Sequence, residues 1–220
     1  MKIVDKVWGR EEWITNNGMY CGKRISLNKG AFCSLHMHPV KHETFFVESG
    51  RMRVEVGNLE PIDAIHGSVI EIKPGIFHRF AGYENTVFFE FSTQHNDDDV
   101  VRKVPSYLAP ILWVFDVDGT LFNAGGPINS KHIAGIEFGI LSSRSKDRSI
   151  EITNKLGICP RFVKVCREML RKEELLSIDK EYPIRRTIYV ADKNSDRQEA
   201  FEAGWQHMFP DEFVRFMESK

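Results

Sequence analysis

The chain lacks a charge bias. It carries 30 lysines and arginines against 31 aspartates and glutamates, a formal net charge of −1 over 220 residues. No global field draws it to nucleic acid or to an anionic membrane. It also lacks long apolar runs: no stretch approaches the roughly 20 apolar residues that span a bilayer, and the N-terminus MKIVDKVWGREEW has no apolar signal core. Cysteine is sparse. Cys21, Cys33, Cys159 and Cys166 fall two in each half and form no CxxC pair, which argues against a disulfide framework and for reduced thiols. Internal repeats and low-complexity tracts are absent as well. These absences predict a cytoplasmic protein with no nucleic-acid or membrane partner. What is present is ordinary in bulk, with 42% hydrophobic and 28% charged residues, but rich in phenylalanine, at 16. So many aromatics suit strands and a well-filled core.

The two halves follow different patterns. Up to Phe91, short runs rich in Val, Ile, Phe and Thr (23–27, 44–47, 52–56, 69–72, 86–91) alternate with glycines at 30, 50, 57, 67, 75 and 82. That pattern predicts an all-β barrel or sandwich. An acidic run at Asp97, Asp98 and Asp99 and prolines at 105 and 110 follow. From Ile111 onward, apolar runs at 112–115, 136–141 and 187–190 alternate with helical stretches at 149–156, 161–176 and 196–203, the pattern of a parallel sheet with helices on both faces. The expected organisation is a barrel over residues 1–102, a linker over 103–110 and a second domain over 111–220.

His36 and His38 are two apart, so on a strand both face the same way. Glu43 follows a short connection, glycines 30 and 50 bracket the unit, and a second block runs from Gly67 through Pro74-Gly75 to His78. Three imidazoles and one carboxylate can hold a divalent first-row ion and leave positions open for a ligand. Residues 30–50 resemble the first motif of the cupin superfamily, G(X)5HXH(X)3–4E(X)6G, at every position. The second block keeps that family's final histidine but has Pro and Gly adjacent, and Gly82 at the usual asparagine. The resemblance implies a double-stranded β-helix binding Mn, Fe, Zn, Co or Ni through His36, His38, Glu43 and His78. His42 is expected on the opposite face; His66 and His95 are expected in a turn and in the linker.

Three flanking segments, around Trp8-Gly9, Tyr20–Lys23 and Glu90–Arg102, resemble sugar-isomerase cupins such as D-lyxose isomerases and cupin-type mannose-6-phosphate isomerases. In the latter a tryptophan-glycine pair opens the domain and a D-D-[IV]-x-R stretch closes it. Aldose–ketose exchange needs a carboxylate to move a proton. Glu90 is the candidate base, and Lys23 the group that orients or polarises a carbonyl oxygen; strand alternation alone leaves open whether either faces inward.

In the second half, Phe115-Asp116-Val117-Asp118-Gly119-Thr120 delivers two carboxylates from a strand into a glycine turn. It resembles the DxDGT motif of the haloacid dehalogenase superfamily, implying an α/β Rossmann-like fold. Only residues 122–141 separate the first two motifs, so no large cap is expected. The resemblance implies Asp116 as nucleophile, Asp118 as general acid, Ser142 as a donor to the phosphoryl oxygens, and Lys172 or alternatively Lys164 as the cation. Mg would be held by Asp116, Asp118, Asp192 and Asp196. The combined expectation is a bifunctional carbohydrate enzyme, an isomerase plus a phosphatase, acting on a sugar or sugar phosphate and dimerising through the cupin. A phosphatase with a non-catalytic cupin module, or an Fe(II) cupin oxygenase fused to a phosphatase, are the alternatives.

Overall fold

The computed structural model describes residues 1–167 and 170–220. The chain divides into two compact units, residues 1–110 with 184–186, and residues 111–183 with 187–220.

The first unit is built of thirteen strands: β1 (Lys2–Lys6), β2 (Gly9–Asn16), β3 (Cys21–Leu27), β4 (Ala31–Phe32), β5 (Leu35–Met37), β6 (Glu43–Ser49), β7 (Arg51–Val56), β8 (Ile62–Ile65), β9 (Val69–Ile72), β10 (His78–Gly82), β11 (Thr86–Ser92), β12 (Val101–Val104) and β13 (Tyr107–Leu108). One sheet runs β1-β2-β3-β11-β6-β9; the other runs β12-β5-β10-β4-β13, with β7 and β8 attached through β10. Their inner faces share one core that includes Ile25, Leu27, Phe45, Val47, Phe80 and Phe88. The aromatics meet edge to face: Phe80 lies 5.0 Å from Phe88 and 5.1 Å from Trp8. Fully burying each such ring contributes roughly 1.5–3 kcal/mol. The Trp8-Gly9 pair has a steric reason. A Cβ on Gly9 would sit 1.9 Å from the Ser26 carbonyl oxygen, so only glycine lets β2 run so close to β3.

Residues 103–110 are not the expected linker. β12 pairs with β5 and β13 with β4, so this segment extends the seven-stranded sheet. Pro105 and Pro110 lie outside both strands, where a missing N–H costs no ladder bond.

The second unit contains β14 (Ile111–Phe115), α1 (Ser130–Ile133), β15 (Phe138–Ser142), α2 (Lys146–Leu156), β16 (Val163–Val165), α3 (Arg171–Glu181), β17 (Arg186–Val190), α4 (Asn194–Glu202), β18 (Gln206–Met208) and α5 (Pro210–Glu218). Its sheet has the order β16-β15-β14-β17-β18, and the β14–β15, β15–β16 and β17–β18 pairs are parallel. Alternate residues of β14 serve separate cores. Trp113 and Phe115 pack with Phe138 and Phe213, while Leu112 and Val114 pack with Leu141 and Tyr189.

The expected fold class is corrected on this content. Among the described residues the chain has eighteen strands and five helices, none longer than 11 residues. It is a strand-dominated molecule, a β-sandwich followed by a second sheet-centred unit with short helices, and not an all-β barrel joined to a haloacid dehalogenase-type Rossmann domain. Local alternation of apolar runs and helix formers misled because it says nothing of how much chain the sheets take up. The expected helix over 161–176 shows the same error: residues 163–165 form β16, 168 and 169 lie outside the described residues, and the helix begins at Arg171. Among the described residues no helix is long and apolar enough to cross a membrane.

Candidate functional site

The inward faces of β3, β6 and β11 change character along their length. One end is apolar, with Leu27, Val47 and Phe88; the other is ionic, with Lys23, Glu43 and Glu90. Register brings the ionic ends together. Glu90 pairs directly with Lys23, and across the other sheet His78 pairs with His36. His36, His38 and His78 each offer a ring nitrogen within 4.8 Å of the others.

The three imidazoles are oriented from behind. Nδ1 of His36 bonds the Ser34 carbonyl at 2.9 Å, Nδ1 of His78 bonds the Ile76 carbonyl at 3.0 Å, and Nδ1 of His38 bonds the Asp99 carbonyl. Because a carbonyl only accepts, each Nδ1 carries the proton and each Nε2 is left with its lone pair, the tautomer a metal takes. Burial lowers the pKa of His36 to about 4, and His78 beside it adds to the effect. Burial also lowers that of His38. Both rings are therefore neutral donors at pH 7. Glu43 Oε2 stands 3.0 Å from His78 Nε2, and both atoms are buried without a hydrogen-bond partner. Two orphaned donor atoms aimed at one point, beside two further Nε2 groups, fit a divalent cation.

Around this cluster lies an ion network that joins the expected Glu90 and Lys23 to a residue the sequence did not announce, Lys41. Lys41, 2% exposed, donates to Glu43 Oε1 at 2.5 Å and also to Glu90 Oε1. Burial would push the carboxyls of Glu43 and Glu90 up, but the groups beside them prevail: His78 and Lys41 at Glu43, Lys41 and Lys23 at Glu90. Both stay below the usual carboxylate range. Burial likewise opposes the Lys41 charge, and Glu90 and Glu43 overrule it, holding its pKa above the ordinary lysine value. Lys23 stands 3.5 Å from Glu90 and 3.7 Å from Glu11. His95 differs from its expected linker role: its Nδ1 is 3.2 Å from Lys23 Nζ and its Nε2 is 3.1 Å from Asp97. These groups line a cavity of about 180 Å³. His42 points away and meets Glu71 at 2.9 Å on the outer face, and His66 bonds the Glu48 carbonyl at 2.6 Å.

In the second unit, Asp116, Asp192 and Asp196 bring carboxylate oxygens within 4.8 Å of one another. A Cβ on Gly119 would lie 2.2 Å from Asp192 Oδ2, so glycine at that turn admits the carboxylate. Asp116 Oδ1 and Asp196 Oδ2 are buried without hydrogen-bond partners. Burial raises the Asp116 pKa to about 6 against the pull of Arg171, with Asp196 and Asp118 adding to the rise; burial raises that of Asp196 too. An acid-rich cluster with orphaned oxygens fits a divalent cation.

Two of the residues expected at this cluster, Lys172 and Asp118, lie apart from its three acids. Lys172 is 41% exposed at its side chain and reaches Glu202 at 3.3 Å; the cation at the cluster is its neighbour Arg171, 2.7 Å from Asp196 and 3.7 Å from Asp116. The alternative, Lys164, pairs with Glu174 at 3.2 Å and with Glu181. Asp118 is not among the three clustered acids; it is paired with Arg144, at 2.7 and 2.8 Å from Nε. Ser142 is fully buried at the end of β15, where its hydroxyl accepts the Arg144 N–H at 3.3 Å.

The model of the cupin domain family matches residues 23–90, a stretch that holds all four candidate ligands of the first site and begins and ends on the Lys23–Glu90 pair. Residues 23–90 are a cupin domain. Among solved structures, KdgF from Halomonas sp. is similar at 15% identity over 44% of this chain and 92% of that one, TM-score 0.41. An RmlC-like cupin from Shewanella frigidimarina is similar at 17% identity over 44% and 86%, TM-score 0.41. Pac13, a nucleoside dehydratase, is similar at 14% identity over 47% and 84%, TM-score 0.42. No curated protein matches the chain. The family match stops short of the second unit, which it does not join to any phosphatase.

Proposed function

We propose that the cupin unit is a metal-dependent enzyme that moves a proton on a small hydroxylated carbonyl compound, a sugar or sugar phosphate, in an isomerisation. The observation that carries this reading is the convergence of three Nε2 lone pairs and Glu43 with a second, ionised carboxylate, Glu90, in one small cavity. A divalent ion held by His36, His38, His78 and Glu43 would polarise the ligand's carbonyl and hydroxyl oxygens. The chain's own part is proton handling. Lys41 and Lys23 keep Glu90 free of a proton, and a ligand oxygen that takes over the Lys23 contact raises Glu90 toward a working base. Isomerisation through an enediolate exchanges a carbon-bound hydrogen with solvent. Incubation in D2O with a panel of aldoses and their phosphates should therefore place deuterium on the carbon next to the carbonyl, and Glu90→Gln should abolish it. Oxygen consumption without deuterium uptake would reject the reading in favour of an oxygenase.

A second reading concerns the acid cluster. Its orphaned Asp116 and Asp196 oxygens favour a Mg site supporting phosphoester hydrolysis, with Asp116 as nucleophile. Hydrolysis of a chromogenic phosphoester in Mg, absent in Asp116→Asn, tests it. We also infer a homodimer through the outer face of the six-stranded sheet, where Phe89 pairs with Phe46 and Phe91 is 53% exposed. Light scattering at micromolar concentration should give twice the chain mass.

A further inference from the structure

Four cationic and four anionic side chains line the cupin cavity. Seven of the eight are engaged. Lys6 pairs with Glu11, Lys23 with Glu11 and Glu90, Lys41 with Glu43 and Glu90, and Asp97 with His95. The eighth is Arg102. Among the described residues its guanidinium has no hydrogen bond, ion pair or ring contact, although it lines the cavity.

Its direction is set by register. On β12, Arg102 is the direct cross-strand partner of His36 on β5. Directly opposed residues of an antiparallel pair project from the same face, with Cβ atoms roughly 4.5–5.5 Å apart. The guanidinium therefore hangs from the face that carries the His36 ring, at the solvent side of the cavity, since Arg102 is exposed where His78 and Glu90 are buried. The same lining includes the half-buried residue Ser106, and Asn96, whose side-chain oxygen already accepts the Asp98 N–H at 3.1 Å and whose amide nitrogen is left to donate. A planar fork of donors with no carboxylate of its own, flanked by neutral donors, matches an oxyanion in geometry and charge.

We propose that Arg102 is the anchor of an anion subsite at the mouth of the cupin cavity, so that the ligand carries a carboxylate or phosphate at the end away from the histidines. This deepens the isomerase reading by naming an acidic ligand, and it rests on that reading only for the choice of cavity. The inner network is neutralised pair by pair and offers an incoming charge nothing without breaking a buried pair; Arg102 offers a bidentate contact at no such loss.

The test needs no turnover, so its failure is separable from failure of the isomerase reading, which deuterium exchange on neutral sugars reports. The full-length protein is titrated with inorganic phosphate and, separately, with malonate at constant ionic strength, following the Arg102 Nε–H signal by NMR and affinity by calorimetry. The expected result is a saturable shift of that signal with one of the two anions and a loss of about tenfold in affinity in Arg102→Gln, with Arg102→Lys retaining part of it. Preference for phosphate identifies a phosphate ester, and preference for malonate a sugar acid. An unmoved Arg102 signal with both anions, or equal affinity in Arg102→Gln and wild type, overturns the proposal.

Discussion

In the cupin unit, three inward carboxylates, Glu11, Glu43 and Glu90, share the interior with Lys23 and Lys41, and each lies within 4 Å of an ammonium. In the second unit, Asp116 and Asp196 share one buried cation, Arg171, and the third acid, Asp192, is exposed. The consequences run in opposite directions. Glu43 and Glu90 are held below the carboxylate range, while Asp116 and Asp196 are pushed above it. The first centre is electrostatically complete around neutral histidine donors. The second is short of positive charge and takes either protons or a cation. A buried ionic cluster therefore says little by itself; the ratio of acids to bases decides whether its carboxylates are held ionised or pushed toward protonation.

The largest expected effect comes from breaking the complete network. Lys41→Met leaves Glu43 and Glu90 buried with less compensation, and removing one partner of a buried pair costs about 3–5 kcal/mol. Urea unfolding of the variant, followed at the tryptophans of the cupin unit, should show that loss. A change below about 1 kcal/mol would mean that Lys41 behaves as a surface lysine and that the network is not the frame of the site.

Of these two centres, the local parts were legible in the sequence. His36 and His38 announce themselves because strand alternation is a two-residue property, and Glu43 and His78 follow from motif spacing. Lys41 was not, because it lies in the connection before β6 and only the β6–β11 pairing brings Glu90 to it. His95 was hidden by the acidic run after it, which reads as linker; its place beside Lys23 depends on pairing across more than seventy residues. Arg102 was visible as the last residue of a motif, but nothing local showed that β12 would set it opposite His36. Fold class was misjudged in the second half for the same reason: alternation reports elements one at a time and leaves their extent to tertiary packing.

Opposite pKa shifts predict opposite pH slopes in chelated, metal-free protein. For Asp116 the folded pKa, about 6, exceeds the unfolded value of roughly 3.9. Its contribution is full below about pH 4 and disappears as pH rises through 6, on the order of 2–3 kcal/mol. Glu43 and Glu90 have depressed folded values, so their contribution is present above their unfolded pKa of about 4.3 and is lost as pH falls below it. Trp8 and Trp13 report the cupin unit and Trp113 and Trp205 the second unit, so fluorine NMR of fluorotryptophan-labelled protein can follow both. Between pH 7 and 4.5 the second unit should gain the Asp116 contribution, while the first loses stability because His36 and His38, held below their ordinary pKa by burial, refuse protons that the unfolded chain takes up, and Asp116→Asn should flatten the second unit's slope. Parallel slopes in the two units would dissolve the contrast.

The smallest effect is expected at Lys172, and its smallness is informative. Successive helix residues point about 100° apart, so α3 can aim only one of Arg171 and Lys172 at the acid cluster. It aims Arg171, 1% exposed, which also reaches the Tyr189 hydroxyl at 2.7 Å. Lys172 lies at the surface with Glu202 at 3.3 Å, an exposed pair of the kind that contributes little. Lys172→Ala should therefore shift stability by no more than about 0.5 kcal/mol and leave cation binding at the cluster intact. Arg171→Met should raise the Asp116 pKa further, because it removes the larger of the two pulls that oppose burial, the other being the Val117 N–H. Urea midpoints and calorimetric Mg titrations of the two variants decide the matter. If Lys172→Ala weakened Mg binding and Arg171→Met did not, the cation serving the cluster would be the lysine, and the assignment of inner and outer faces along α3 would have to be reversed.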